Sequence, residues 1–200
     1  KKKAIIISIK NYQLSTKEIS LLKNEKPWGL ILFKRNIKSL KQITRLIKKI
    51  RKLTKDSKFP IMIDEEGLAV SRLSNIINHS FSQKLFGDIY NSSPKICLTF
   101  YKNYINKLTA LLRKIGININ TVPVLDVLRK NTHKIIGSRS FSNNPNVVEL
   151  LGQTCVQQYK LNKIATVVKH IPGHGCATLD SHLKMPKVNL SYKNLNSLDF

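Results

Sequence analysis

The chain has 200 residues, enough for one domain with a substantial core or for a piece of a larger one. Its 42% hydrophobic and 23% charged residues read as globular rather than disordered, and no apolar run approaches the roughly 18–20 residues of a membrane span. The net charge of +24 favours anionic partners in principle, but the lysines are scattered, no stacking aromatics interleave them and no nucleic-acid motif is present, so nucleic acid is not the expected partner.

The first apolar run, AIIISI at residues 4–9, reads as a strand. LSTKEISLLKN then opens a helix with a capping box, Ser15 and Glu18, and sets Ile19 and Leu22 on one face. Residues 29–33 form a second, buried strand, with Trp28 beside it in core or edge packing. Leu40, Ile43, Leu46, Ile47, Ile50 and Leu53 recur at helical spacing with lysine and arginine between them. Residues 59–67 are a third strand running into Asp64, Glu65 and Glu66, and a less regular stretch follows to about Pro94. Tyr101, Tyr104, Ile105, Leu108, Leu111, Leu112 and Ile115 mark another helix, ended by Gly116. ININTVPVLDV carries the fourth strand. Pro145 opens a helix whose Val148, Leu151, Cys155 and Tyr159 share a face, and residues 165–168 are the fifth strand.

Alternating apolar strands and amphipathic helices imply an α/β fold with a parallel sheet and right-handed crossovers. Polar residues follow the strand ends repeatedly: Arg35 and Asn36, Asp64 to Glu66, Asp126, then Lys169 and His170. In a TIM-type (β/α)8 barrel such positions converge on one mouth. A doubly wound open sheet is the rival, disfavoured because no glycine-rich phosphate loop follows the first strand.

The richest stretch is KHIPGHGCATLDSH, residues 169–182, directly after the fifth strand. A polar Pro/Gly loop at a strand end aims side chains from a rigid scaffold. Asp180 and His182 stand two apart, close enough for the carboxylate to hold the imidazole and set its tautomer, a proton-transfer pair for near-neutral pH. His174 is expected to be structural, bonding the loop backbone, and His79 and His133 to be isolated. His170, His174 and His182 lack a compact ligand spacing and no cysteine pair assists them, so no metal is expected. Cys97, Cys155 and Cys176 are widely spaced, as reduced thiols of a cytosolic protein would be. The opening KKK is not followed by a secretory apolar core, so no signal peptide is expected.

In order and spacing, PWGLILFKRNI, IDEEG with a following RL, NTVPVLDV, IIGSRSF and KHIPGHG with a following DSH resemble the bacterial β-N-acetylglucosaminidases (β-hexosaminidases) of glycoside hydrolase family 3. The resemblance covers residues 14–200. It implies a cytoplasmic, monomeric enzyme of peptidoglycan recycling, without a cofactor, that removes N-acetylglucosamine from muropeptides with retention through a covalent intermediate. By motif, Asp64, Arg72, Arg139, Lys169 and His170 resemble the residues that hold the sugar. His182 resembles the general acid/base and Asp180 its orienting partner. A histidine in that role avoids the repulsion two carboxylates would suffer, and its ordinary pKa of about 6.5 suits neutral pH.

The match departs from the family at two places. Leu68 and Ala69 stand where the family reads Gly-Arg. Leucine adopts fewer backbone conformations than glycine, so the loop carrying Arg72 is expected to differ. The family's aspartate nucleophile follows a later strand and has no counterpart in these residues. The expected architecture of 1–200 is therefore an incomplete glycoside hydrolase family 3 N-terminal barrel domain, truncated to the first five strand-helix units. A catalytically inactive, sugar-binding relative is the alternative reading.

Overall fold

The computed structural model describes residues 1–78, 80–180 and 183–198. Among them are five strands: β1 (Lys3–Ser8), β2 (Pro27–Leu32), β3 (Ile61–Ile63), β4 (Ile119–Asn120) and β5 (Ala165–Thr166). They form one sheet in sequence order, and every neighbouring pair is parallel. The helices between them are α1 (Thr16–Asn24), α2 (Leu40–Thr54), α3 (Gln83–Ser92), α4 (Pro94–Ile115) and α5 (Pro145–Leu161), with α6 (Tyr192–Leu198) after β5. Strand order equal to chain order, with a helical return after each strand, is the progression of a (β/α) barrel. All strand C-termini therefore lie at one end of the sheet.

Local chemistry explains the helix limits. The Ser15 hydroxyl accepts the Glu18 N–H while the Glu18 carboxylate accepts the Ser15 N–H, the capping box read from the sequence. Ser39 caps α2, and Gly116 ends α4 in the left-handed region at φ 103°, where glycine is unstrained. Arg51 reaches across to donate to the Gly116 carbonyl at 2.7 Å. One face of α2 (Ile43, Ile47, Ile50) packs with Leu30, Leu32, Ile61 and Ile63 of the central strands, Leu112 and Ile115 of α4, and Leu151 and Tyr159 of α5 in one buried core.

The structure departs from the sequence expectations in several places. The stretch before Pro94 is not irregular throughout, because α3 occupies Gln83–Ser92. Its fully buried residues are Gln83, Phe86 and Gly87, two of which do not read as core in a sequence. The next helix starts at Pro94, where the irregular stretch is expected to end, with proline in its first turn. The fourth and fifth strands are only two residues each. Beyond Asn120 the chain turns through Pro123, which has no N–H for a ladder, and only a single bridge, Val124 to Lys169, continues the pairing. Strand β1 is also not buried: it pairs with β2 alone among the described residues, and Ile5 and Ile6 are exposed. Trp28, expected in core or edge packing, is exposed and not part of the core.

Gly87 is a close approach that positions the site. A Cβ there would lie 1.8 Å from the Phe141 carbonyl oxygen, so only glycine lets α3 rest on the segment that carries Arg139.

Candidate active site

Four of the chain's eleven acidic residues, Asp64, Glu65, Glu66 and Asp126, lie just past the C-terminal ends of β3 and β4. Glu65, Glu66 and Asp126 are buried, a costly placement in a chain this basic unless each is paired. Each has partners. Glu66 takes a bidentate bond from Arg139, Nε at 2.7 Å and Nη2 at 2.9 Å, and Lys169 Nζ lies 2.5 Å from Oε1, the oxygen that Nη2 also bonds. Asp64 accepts from Arg72 Nη2 at 3.2 Å and from the Thr121 hydroxyl. Lys169 donates to Thr121 Oγ1 at 2.9 Å and stands 3.6 Å from Asp64.

The strand period explains the division of labour. Asp64 and Glu66, two apart just past β3, meet Lys169 together, whereas the Glu65 carboxylate engages the following loop. Its Oε2 accepts the backbone N–H of Arg72 and of Leu73, both at 2.8 Å. Those bonds fold the loop back so that the Arg72 guanidinium returns to Asp64. Leu68 and Ala69 sit in this loop without a positive φ, and Leu68 is exposed. Gly67 does need glycine: its φ is 134°, and a Cβ would meet the Phe81 carbonyl.

His170 is held on both sides. Nδ1 is 2.6 Å from Asp126 Oδ2, and Nε2 is 3.3 Å from Arg139 Nη2. A guanidinium can only donate, so these partners assign the ring proton to Nδ1, donated to Asp126, and leave Nε2 accepting. The other Asp126 oxygen accepts the His174 backbone N–H at 2.8 Å. A single buried carboxylate thus fixes the imidazole and the start of the following loop. The Lys169–His170 peptide that joins the two cluster residues is cis. At the rim, Arg35 and Arg72 lie over the Phe33 ring at 4.5 and 5.6 Å.

The charges support one another. Burial pushes the Asp64 carboxyl up, but the Thr121 hydroxyl, Lys169 and Arg72 outweigh it and hold the group below the ordinary carboxylate range. Burial likewise lowers Arg139, yet Glu66, Asp126 and Asp64 more than reverse this. Three cations and three anions therefore interlock in a fixed polar cup: Arg72, Arg139 and Lys169 against Asp64, Glu66 and Asp126.

Of the residues singled out from sequence, the structure brings Asp64, Arg72, Arg139, Lys169 and His170 into this one cluster. Asp180 is described, and its carbonyl accepts the N–H of Leu183 and Lys184. His182, and with it the expected Asp180–His182 pairing, lies outside the described residues, as does His79. His133 is satisfied, its Nδ1 accepting from Ile135 N–H at 3.2 Å. His174 bonds the loop backbone, its carbonyl accepting the Ala177 N–H at 3.2 Å. These bonds come from its backbone, and both buried ring nitrogens lack a hydrogen-bond partner among the described residues. Sequence reasoning missed the roles of Glu65, Glu66, Thr121 and Asp126. Strand-end position pointed at three of them, but nothing distinguished Thr121.

A parallel sheet grown in chain order, with a charge-balanced polar cluster at its strand C-termini, defines a domain of the TIM-barrel-like α/β class. The chain belongs to glycosyl hydrolase family 3, whose N-terminal domain it matches over residues 3–200. It is 33% identical over 176 residues to the beta-hexosaminidase A of Pseudoalteromonas piscicida, covering 86% of this chain and 29% of that protein. It is 29% identical over 179 residues to the beta-hexosaminidase of Xanthomonas campestris pv. campestris (strain B100), covering 90% and 53%. Native NagZ from Neisseria gonorrhoeae superposes with a TM-score of 0.87 at 28% identity, over 99% of this chain and 57% of that one. Its complex with N-trifluoroacetyl-D-glucosamine gives a TM-score of 0.88 at the same identity, over 99% and 58%. The chain thus spans about half the length of NagZ and from 29% to 53% of these curated relatives.

Proposed function

We propose that this chain supplies the sugar-binding half of the active site of a retaining exo-β-N-acetylglucosaminidase acting on peptidoglycan-derived muropeptides. The observation that carries this reading is the convergence of Asp64, Arg72, Arg139, Lys169 and His170 at one end of the sheet. Sugar hydroxyls both donate and accept, so they suit a cup that offers ionised carboxylate and guanidinium groups in fixed directions. The relatives named beta-hexosaminidase, and NagZ holding N-trifluoroacetyl-D-glucosamine, support an N-acetylhexosamine as the ligand.

In this reading Asp64 accepts from two neighbouring hydroxyls of the terminal sugar while Arg72, Arg139, Lys169 and His170 bind the ring's other oxygens. His182, oriented by Asp180, protonates the departing glycosidic oxygen and then, as the neutral base, activates water. The covalent half of the reaction requires an aspartate, which the family resemblance places after a later strand than β5. No cofactor enters the scheme, and cytoplasmic cell-wall recycling by a monomer is the setting it fits.

The test is release of N-acetylglucosamine from a chromogenic β-N-acetylglucosaminide by the full-length natural protein, with N-acetylglucosamine titrated calorimetrically alongside. Turnover abolished by His182→Ala is the expected result, and a His182→Ala variant as active as wild type rejects the acid/base assignment. Saturable binding without turnover favours a sugar-binding relative instead.

A further inference from the structure

The side-chain amide of Asn120 extends the sheet where its backbone has stopped. The β3–β4 ladder ends with the Ile63–Asn120 pair. Beyond it the Asn120 carboxamide pairs with Glu65: Oδ1 accepts the Glu65 N–H at 2.9 Å, and Nδ2 donates to the Glu65 carbonyl at 2.9 Å. A carboxamide presents the same donor and acceptor as a peptide, so it serves as one more rung. Nδ2 also donates to the Tyr159 hydroxyl of α5 at 2.9 Å. Asn120 is fully buried, and none of its side-chain hydrogen bonds goes to a charged group of the cluster.

From this geometry we infer that Asn120 is a positioning residue for the active site, acting through Glu65. Pinning both backbone groups of Glu65 fixes the directions of its neighbours Asp64 and Glu66 on the opposite face. It also fixes the Glu65 carboxylate, which holds the Arg72 and Leu73 N–H groups and so returns Arg72 to Asp64. Three members of the cup therefore depend on one amide that touches none of them. The consequence for sugar affinity rests on the proposed carbohydrate site, whereas the clamp itself does not.

The experiment uses Asn120→Ala, Asn120→Asp and Tyr159→Phe in the full-length natural protein, with two readouts. The first is amide hydrogen exchange at Glu65, Arg72 and Leu73, with Leu22 of α1 as reference; the second is affinity for N-acetylglucosamine. Loss of both rungs in Asn120→Ala accelerates exchange at the three sites by about tenfold or more relative to Leu22 and weakens the sugar by a comparable factor. Tyr159→Phe keeps both rungs and leaves the three exchange rates and the affinity within about twofold of wild type. Uniform acceleration along the chain, or unchanged exchange at Arg72 and Leu73, overturns the clamp. Should Asn120→Ala not fold, Asn120→Asp decides. It keeps the acceptor but loses the donor, and an affinity loss no greater than that of Tyr159→Phe overturns the inference. A wild-type protein that binds no N-acetylglucosamine defeats the carbohydrate reading instead, and the exchange rates alone then decide the clamp.

Discussion

Replacing Glu66 by glutamine removes one charge and no volume, yet it strikes a carboxylate shared by two cations, Arg139 and Lys169. The Glu66 side chain is 3% exposed, and its two cationic partners, Arg139 and Lys169, are 10% and 16% exposed. Glutamine cannot hold the Arg139 fork in the same way, because one carboxylate oxygen becomes a donor facing a donor. Lys169 keeps Thr121 and the more distant Asp64, so its loss is partial. Arg139 keeps the Ile135 carbonyl at 3.1 Å but, among the described residues, no other carboxylate at bonding distance. Breaking one partner out of a buried pair costs about 3–5 kcal/mol, and Lys169's residual contacts place Glu66→Gln near the lower end, about 3 kcal/mol. With a urea m-value of about 2–3 kcal/mol/M, that shifts the unfolding midpoint down by about 1–1.5 M. Equilibrium unfolding followed by circular dichroism reads it directly, with the exposed Glu149→Gln as a control expected within about 0.5 kcal/mol. A Glu66→Gln variant within about 1 kcal/mol of wild type, with m unchanged, would refute the claim that this carboxylate neutralises two half-buried cations.

Because Asp64 is held below its ordinary range, its contribution to stability is fully present above the unfolded value of about 3.9 and is lost as pH falls through the lower folded value. The stability gap between wild type and Asp64→Asn therefore narrows on acidification below about pH 4 in urea titrations, and a gap independent of pH contradicts the assignment. Gly87→Ala forces a methyl against the Phe141 carbonyl and destabilises by at least the 1–3 kcal/mol or so of overpacking, read as a lowered melting temperature; an unchanged melting temperature argues against the close contact. Burial pushes the Cys155 thiol up to about 12 and raises Cys97 as well. Iodoacetamide at pH 8 should therefore label Cys176 first, and mass spectrometry showing Cys155 labelled as fast would contradict the packing of α5.

The fold was largely legible because helix caps and apolar periodicity are local. Ser15 with Glu18, Pro145 and Gly116 each act within one turn, and each marks its helix end in the structure. Helix α3 escaped notice for a complementary reason: it buries Gln83 to clamp the Val124 backbone and Gly87 to approach Phe141, and neither looks like core in a sequence. The short β4 and β5 were also out of reach, since strand length depends on where a neighbour's backbone diverges. At the site, motif resemblance picked out the cations and Asp64. It left Glu65 and Glu66 without roles, because three consecutive acids look alike until the strand alternation assigns their sides. Asn120 and Thr121 gave no signal at all, for their importance lies in partners some 50 residues away in the chain.

The central claim is that the ionised cup at the strand ends is built to hold an N-acetylhexosamine. Calorimetric titration of N-acetylglucosamine into wild type and Asp64→Ala tests it most directly. Saturable one-to-one binding by wild type that Asp64→Ala loses is the predicted result. Equal binding by the two proteins, or no binding by wild type, would contradict it.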